Sequence, residues 1–398
     1  MNTENKKIAI VGAGAAGCFC AANLRRLIPS ADIYIYERAK APLQKVLITG
    51  GGRCNLTNTF AEVKSLQHIY PRGYNLMKRL FKTFDHEQTM QWWEEAGVRL
   101  VKQSDQCVFP RSQDAAEVAN TLLRLMRGCH LLLSHKVEDI TQLTSSFDAV
   151  VVTTGGSPRA EGLSFLAPLG IEIIPPVPSL FTFTLQSPIT ALMGVVVPHV
   201  IAGLAGTKYR TEGPLLITHW GMSGPAVLKL SSLAARWLAE RNYKATLMVN
   251  WLGGTNEEEA LALSKQTLAQ NPAKQIGNIQ AFPAITSRLW HHLLEAAGID
   301  PVRRCAEVGS RQMSRLASTL TCSQYPIIAR GTHKEEFVTC GGVALTEVNP
   351  STLECRKCPK LYFAGEALDV DAVTGGFNLQ AAWTMGMTVA HSIAQTLR

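Results

Sequence analysis

Apolar positions follow two rhythms in this chain. The run Lys7–Val11 has the length and character of a buried parallel strand. Gly12-Ala-Gly-Ala-Ala-Gly17 follows, and amphipathic spacing predicts a helix from about Ala15 to Leu27. A second strand is expected over residues 33–37, ending on Glu37. Leu76, Met77, Leu80, Phe81 and Phe84 form a helical apolar stripe of the kind that packs into a core. Ser112 is placed to N-cap a helix that runs to Arg127 and ends at Gly128. Residues 131–133 and 148–152 read as strands, the second leading into Thr153-Thr-Gly-Gly156, and a further helix is expected near Leu163.

The rhythm changes after Pro175, Pro176 and Pro178. Short strands are expected at 180–185, 195–200, 207–210 and 215–218, with turn residues between them. Ser223 is a candidate N-cap for a helix through Trp237. Thr255-Asn-Glu-Glu258 reads as a capping box for a helix that stops at Asn271-Pro272, and Thr286 opens another helix that ends at Gly298. Residues 325–329 return to strand. These signals predict a β-barrel-like and helical insert over 181–337, between two parts of one domain at 1–180 and 338–398. A buried strand at 361–364 leads to Gly365-Glu366, and Gly375-Gly-Phe-Asn378 opens a C-terminal helix.

Composition adds bounds. With 398 residues, 46% hydrophobic and 18% charged, the chain is globular and long enough for two or three domains. Residues 1–7 do not resemble a signal peptide. The longest apolar stretch, 192–206, holds Pro198 and His199 and is too short to cross a bilayer, so a cytoplasmic protein without membrane attachment is expected. Ten cysteines without a framework spacing point to free thiols. The net charge of +8 suits a dinucleotide, another anion or nucleic acid, or a merely solvated basic surface. Two stretches concentrate it. Lys64, His68, Arg72, Lys78, Arg79 and Lys82, with Tyr70 among them, flank the apolar stripe, and Arg288, His291, His292, Arg303, Arg304, Arg311 and Arg315 lie in the insert.

Strand, glycine turn, helix, strand and acid together form a dinucleotide-binding fingerprint. Gly12 permits the tight turn, Gly14 admits a pyrophosphate to the backbone, and Gly17 lets the helix pack closely. Ala15 and Ala16 open a helix whose free N–H groups suit phosphate. Glu37, with Arg38 beside it, stands where a carboxylate accepts hydrogen bonds from a ribose. A second loop runs from Lys45 through Gly50, Gly51, Gly52, Arg53, Cys54 and Asn55. Three consecutive glycines cannot fill a packed helix or strand. The loop is expected to be flexible and to line the cofactor near its reactive end, with a plain surface turn as the alternative.

These blocks resemble those of the YhiN-type, or bile-acid-inducible reductase-type, FAD flavoproteins, which are similar to aminoacetone oxidase family-like FAD-binding enzymes. The mark of the group is the glycine triplet followed by Arg-Cys-Asn. The resemblance returns at Val108-Phe-Pro-Arg-Ser112, Thr218-His-Trp-Gly-Met-Ser-Gly-Pro225, Thr339-Cys-Gly-Gly-Val343, Leu361-Tyr-Phe-Ala-Gly-Glu366, Leu368-Asp-Val-Asp371 and Gly375-Gly-Phe-Asn378. It implies an α/β, Rossmann-like FAD-binding domain of the two-dinucleotide-binding-domain flavoprotein type, with the barrel-like and helical domain inserted. FAD is the implied cofactor, with NADH or NADPH as a transient donor, because a second glycine fingerprint is absent. The implied reaction is reduction of an activated C=C bond in a conjugated enone or in a uracil ring of RNA. A flavin-binding RNA-associated or redox-sensing protein without turnover is the alternative.

The resemblance also implies site residues. Thr154 and Gly155 belong to the glycine turn that closes the cofactor core, and Gly365 and Glu366 to the ribityl chain. Gly376, Phe377 and Asn378 open a helix whose N-terminus would stabilise negative charge on the reduced pyrimidine edge. His219 is the candidate proton donor, or else a hydrogen-bonded structural histidine. Cys54 is the next candidate, or else a small residue in a crowded turn. No metal site is expected. Cys355-Arg-Lys-Cys358 is expected in a surface loop, the alternatives being a redox pair or half a zinc site with Cys340 or His333. One departure stands out: after Gly156 the chain passes through residues 157–161 without the longer Gly- and Asp-containing loop of the group, which removes any substrate contact drawn from it.

Overall fold

Ile8, Ala9 and Ile10 lie at the centre of a five-stranded parallel sheet. Its strands, in spatial order, are Leu361–Phe363, Ala149–Val152, Lys7–Val11, Asp32–Tyr36 and His130–Leu132. The first three are buried along nearly their whole length, the pattern of strands covered on both faces. Asp32–Tyr36 alternates instead, with only Ile33 and Ile35 fully inside. The computed structural model describes residues 5–157, 160–331 and 338–397. The chain divides into two units: Met1–Pro178 with Val338–Arg398, and Ser179–Phe337.

In the first unit the helix Ala15–Leu27 packs against the C-terminal helix Phe377–Leu397. Phe19 joins them to the helix His86–Glu95: its ring lies 4.4 Å from Trp92 and 5.2 Å from Trp383, centroid to centroid. Trp383 is fully buried, yet its indole N–H is satisfied by Leu56 O at 2.9 Å. Gln380 is buried as well, and its amide donates to Thr89 Oγ1 (2.8 Å) and Thr384 Oγ1 (3.0 Å). A small antiparallel sheet of Thr57–Asn58, Cys107–Pro110 and Leu100–Lys102 stands in the same unit.

The second unit is built on a closed six-stranded antiparallel barrel. Around it run Val196–Leu204, Arg210–Ile217, Gly221–Ser223, Phe183–Leu185, Ser323–Arg330 and Ala245–Asn250. Closure leaves no free sheet edge. The helices Glu257–Ala269, Ser287–Ala296 and Ser310–Cys322 form the helical part. The α/β class with a barrel-like and helical insert is therefore the observed architecture. Among the described residues no helix is long and apolar enough to cross a membrane.

Several local expectations shift. The helix after Ser112 is capped by Asp114, whose carboxylate accepts from Ala116 N, and spans Ala115–Leu125; Ser112 Oγ accepts instead from Asp114 N. Ser223 ends a strand. Gly224 and Pro225 start the helix there, which is broken in two at Ala234. The capping box is Asn256 with Glu259, one residue beyond the expected pair. Residues 207–209 form no strand: Thr207 Oγ1 donates to Leu204 O and accepts from Tyr209 N, closing the hairpin ahead of Arg210. Around Leu163, Ala160–Leu169 winds as a 3-10 helix. Pro158, Arg159 and His333 lie outside the described residues.

Candidate functional site

The fingerprint occupies the carboxyl end of the central strand. Gly12 has φ +107°, and a Cβ there would collide with the Thr153 carbonyl. Its N–H donates to Tyr36 O at 2.8 Å, tying the turn to the neighbouring strand. A Cβ on Gly17 would strike the Gly12 carbonyl, so only glycine brings the helix this close to the turn. Gly14 faces open space. Ala15 begins the helix, and Ala16 is buried in its first turn. Thr153 completes the turn from the adjacent strand, its hydroxyl donating to Gly12 O at 2.8 Å with Val11 O at 3.1 Å.

Glu37 lies one residue past its strand. Its carboxylate accepts from Ala13 N and from Ala39 N, both at 2.8 Å. The acid thus holds the fingerprint loop from one side, and its remaining lone pairs can take ribose hydroxyls. Arg38 is exposed beside it. We expect Glu37→Ala to weaken FAD binding by about 1–3 kcal/mol, the range for hydrogen bonds to a charged group. Titration of the apoprotein with FAD measures this, and an unchanged affinity would confine Glu37 to its backbone contacts.

Lys45 and Glu366 are 321 residues apart in sequence and meet at 3.1 Å. Glu366 follows the strand Leu361–Phe363, which neighbours Ala149–Val152 in the sheet, so its loop opens beside Thr153-Thr-Gly-Gly156. Its Oε1 also accepts from Thr339 N at 2.6 Å, and it sits against the bare Cα of Gly156. Gly365 is left-handed at φ +69°. Thr154 Oγ1 is buried with no hydrogen-bond partner. Gly155 and Gly51, at φ +73° and +70°, have nothing within 4 Å of where a Cβ would stand.

The glycine triplet ends a helix. Residues from Gln44 turn helically until Thr49, after which Gly50, Gly51 and Gly52 are all left-handed. Arg53 Nε donates back to Gly50 O, and its guanidinium lies 4.6 Å over the Phe109 ring. Cys54 is buried at φ +60°; burial pushes its thiol up to about 12, partly offset by a hydrogen bond with Thr49. A thiol that holds its proton this firmly is a poor acid near neutral pH. Turned so that its oxygen faces Gly376 N, the Asn55 amide donates to Thr57 O and accepts from Gly376 N, each at 3.1 Å. Asn58 Nδ2 donates to Gly375 O at 3.1 Å and Tyr70 Oη to Phe377 O at 2.9 Å. Asn378 closes its own loop through both backbone groups of Ala372, so its side chain is taken up there.

Two parts of the basic stretch before residue 84 are interior. Tyr70 is buried, and Arg72 pairs with the buried Asp371, through Nε to Oδ1 at 2.6 Å and through Nη2 to Oδ2. Neither belongs to an exposed basic surface. Cys355 is likewise buried, its N–H donating to Leu361 O, whereas Arg356 and Lys357 are exposed and Cys358 half-buried in the bend that follows. All ten cysteines are free, and no metal-holding cluster of His, Cys, Asp and Glu occurs among the described residues.

In the second unit His219 lies in the tight hairpin turn between Arg210–Ile217 and Gly221–Ser223, not directly before a helix. Thr218 and Gly221 close this turn by two hydrogen bonds, of 2.8 and 3.1 Å. The imidazole is exposed and stands edge-on to Trp220, 3.9 Å between centroids. Arg303, Arg304, Arg311 and Arg315 are all exposed. Arg288 is held by Ala191 O, and His291 by Gly277 O at 2.9 Å. His292 is half-buried, and burial lowers its proton affinity.

Thr153, Thr339, Asn58 and Tyr70 were not singled out from sequence as shaping residues. Only Thr153, inside its glycine turn, carried a local signal. Asn58 and Tyr70 act through partners 317 and 307 residues away, and Thr339 through Glu366, 27 residues on.

Comparison with known proteins agrees with this geometry. Residues 6–392 match the family described as HI0933-like protein Rossmann domain. The ribosomal RNA dihydrouridine synthase of Escherichia coli (strain K12) is 30% identical over 405 residues, covering 96% of this chain and 97% of that protein. The Haemophilus influenzae protein of the same name is 27% identical, covering 97% and 98%. The 3-dehydro-bile acid delta(4,6)-reductase of Clostridium scindens is 27% identical, covering 98% and 99%. An orphaned buried hydroxyl, three glycines facing open space and a helix N-terminus fit the dinucleotide that a fingerprint of this kind takes. The chain belongs to the HI0933-like family of FAD-dependent oxidoreductases.

Proposed function

We propose that this protein uses NADH or NADPH to reduce an activated C=C bond, and that its acceptor is the uracil ring of an RNA. The observation that carries the choice of acceptor is the group of exposed arginines, Arg303, Arg304, Arg311 and Arg315, in the helical part of the insert. Similarity to an rRNA dihydrouridine synthase over nearly the full chain supports it. The similar bile acid reductase makes an enone the competing acceptor.

In this reading the loop Gly12–Gly17 and the helix N-terminus at Ala15 and Ala16 take the pyrophosphate, and Glu37 with Arg38 takes the adenosine ribose. Lys45, Gly51, Gly52, Arg53, Cys54 and Asn55 form the wall near the reactive ring, with Thr154 and Gly155 behind it. Gly365 and Glu366 hold the ribityl chain, and Gly376, Phe377 and Asn378 present backbone at the pyrimidine edge. FAD, when bound, supplies the hydride. His219 supplies the proton that the neighbouring carbon or carbonyl oxygen then needs. Cys54 is the weaker candidate for that proton because burial holds its thiol protonated.

The test adds NADH or NADPH to the FAD-loaded protein, then uridine-containing RNA or a steroid enone. Oxidation of the nicotinamide that depends on RNA, with hydrogens added to uridine by mass, is the expected result. Turnover with the enone alone would move the acceptor to that class, and no turnover with either would leave a flavin-binding sensor. RNA affinity should fall steeply with salt, as counterion release requires. Arg303→Ala with Arg304→Ala should reduce the slope of log affinity against log salt by about 1.4, for two phosphates on a single strand. No binding at low salt would remove RNA as the acceptor.

A further inference from the structure

A groove of about 390 Å³ opens in the helical part of the insert. Ile279, Phe282 and Trp290 form its buried apolar floor, and Asn278, Gln280 and Ser287 its exposed polar rim. The Trp290 indole N–H is used by Ile276 O at 2.9 Å, so the ring is locked in place. An aromatic apolar floor with amides at the edge complements a nucleobase, whose faces are apolar and whose edges donate and accept hydrogen bonds.

The groove wall is shared with the arginines. Ile276 N donates to Arg303 O at 2.9 Å and Gly277 N to Pro301 O at 2.8 Å, and Gln275 bridges Arg304 in antiparallel fashion. Arg303 reaches Gln312 Oε1 at 3.0 Å, which links it to the helix Ser310–Cys322, where Arg311 and Arg315 are one turn apart. Residues 271–322 carry six cations against three anions, Glu295, Asp300 and Glu307. A neutral pocket and a cationic ridge are thus joined through the backbone contacts of residues 275–277 with residues 301–304.

We infer that this groove binds one unpaired nucleobase of a single-stranded RNA while the ridge of Arg303, Arg304, Arg311 and Arg315 binds the flanking phosphates. It is a docking site separate from the residues assigned to FAD, and the choice of RNA rests on the reading above. A free nucleotide would use the groove but little of the ridge, which is why a strand is the occupant. A duplex keeps its bases stacked and would meet only the ridge.

The probe is fluorescent oligouridylate, alone or annealed to oligoadenylate, titrated into the full-length FAD-loaded protein. Asn278→Ala with Gln280→Ala should weaken single-strand binding about tenfold, the scale of losing two neutral hydrogen bonds. The salt slope, duplex binding and FAD content should stay as in the wild type. Ser287→Trp, which fills the groove from its rim, should do the same. Equal single-strand affinity in wild type and both variants would overturn the site. So would competition by uridine monophosphate at equal nucleotide concentration, which would make it a free-nucleotide site. Binding through the groove without uracil reduction would overturn the proposed reaction and leave the site standing. Uracil reduction with unaffected groove variants would do the reverse.

Discussion

Replacing His219 by Asn is expected to slow transfer to the acceptor by about 10²–10⁴-fold, the usual contribution of a positioned acid. The same variant should keep its FAD and should accept electrons from NADH or NADPH at nearly the wild-type rate. Hydride addition to one carbon of a polarised C=C leaves negative charge on its neighbour or on a carbonyl oxygen, and a proton must quench it. An imidazole is the side chain most often used to move a proton in such a step. Its turn is rigid, closed by Thr218 and Gly221, and its ring rests edge-on to Trp220. Stopped-flow measurement of the two half-reactions separates the roles. Loss confined to the reductive half-reaction would place His219 with the nicotinamide donor. Two normal half-reactions would make it structural, and Cys54 would then be compared in the same way.

Removing the guanidinium of Arg72 should cost the first unit about 3–5 kcal/mol, the range for removing one member of a buried ion pair. Asp371 has no exposed side-chain surface and Arg72 only 12%. The pair also joins two backbone segments, because Arg72 and Asp371 form an isolated antiparallel bridge. Asp371 lies between the Glu366 loop and the Gly375-Gly376 turn, so destabilisation should reach the residues assigned to FAD. Arg72→Ala is thus expected to lower both the denaturant midpoint and the retained FAD. Arg72→Met with Asp371→Leu should recover much of the stability, since apolar replacement of a buried pair is often neutral or better. Equal stability of wild type and Arg72→Ala would show that water or another group screens Asp371.

The first βαβ unit was legible because its requirements are local. An apolar run of five residues, glycines at fixed offsets and an amphipathic helix decide strand, turn and helix within about thirty residues. The observed helix Ala15–Leu27 coincides with the expected one. Caps were less legible. Ser112 and Asp114, or Thr255 and Asn256, offer nearly the same chemistry one or two residues apart, and the approach of the chain to the helix selects between them.

The sequence by itself determined the α/β class, the insertion of a second unit, the fingerprint and the family, because each is written in short-range pattern or in motif order. Tertiary structure alone decided which polar residues are interior. Arg72 and Tyr70 sit in a stretch that reads as a basic surface, yet their partners Asp371 and Phe377 come from 299 and 307 residues away. Lys45 meets Glu366 across 321 residues, and Asn55 spends its amide on Thr57 and Gly376. Cys355 lies in a charged, cysteine-bearing segment and is nonetheless buried. Hydrophobic period reports which face of an element is apolar, but a charge or an amide is buried only when folding brings a matching group to it. That match is a property of the assembled chain, and no local stretch contains it.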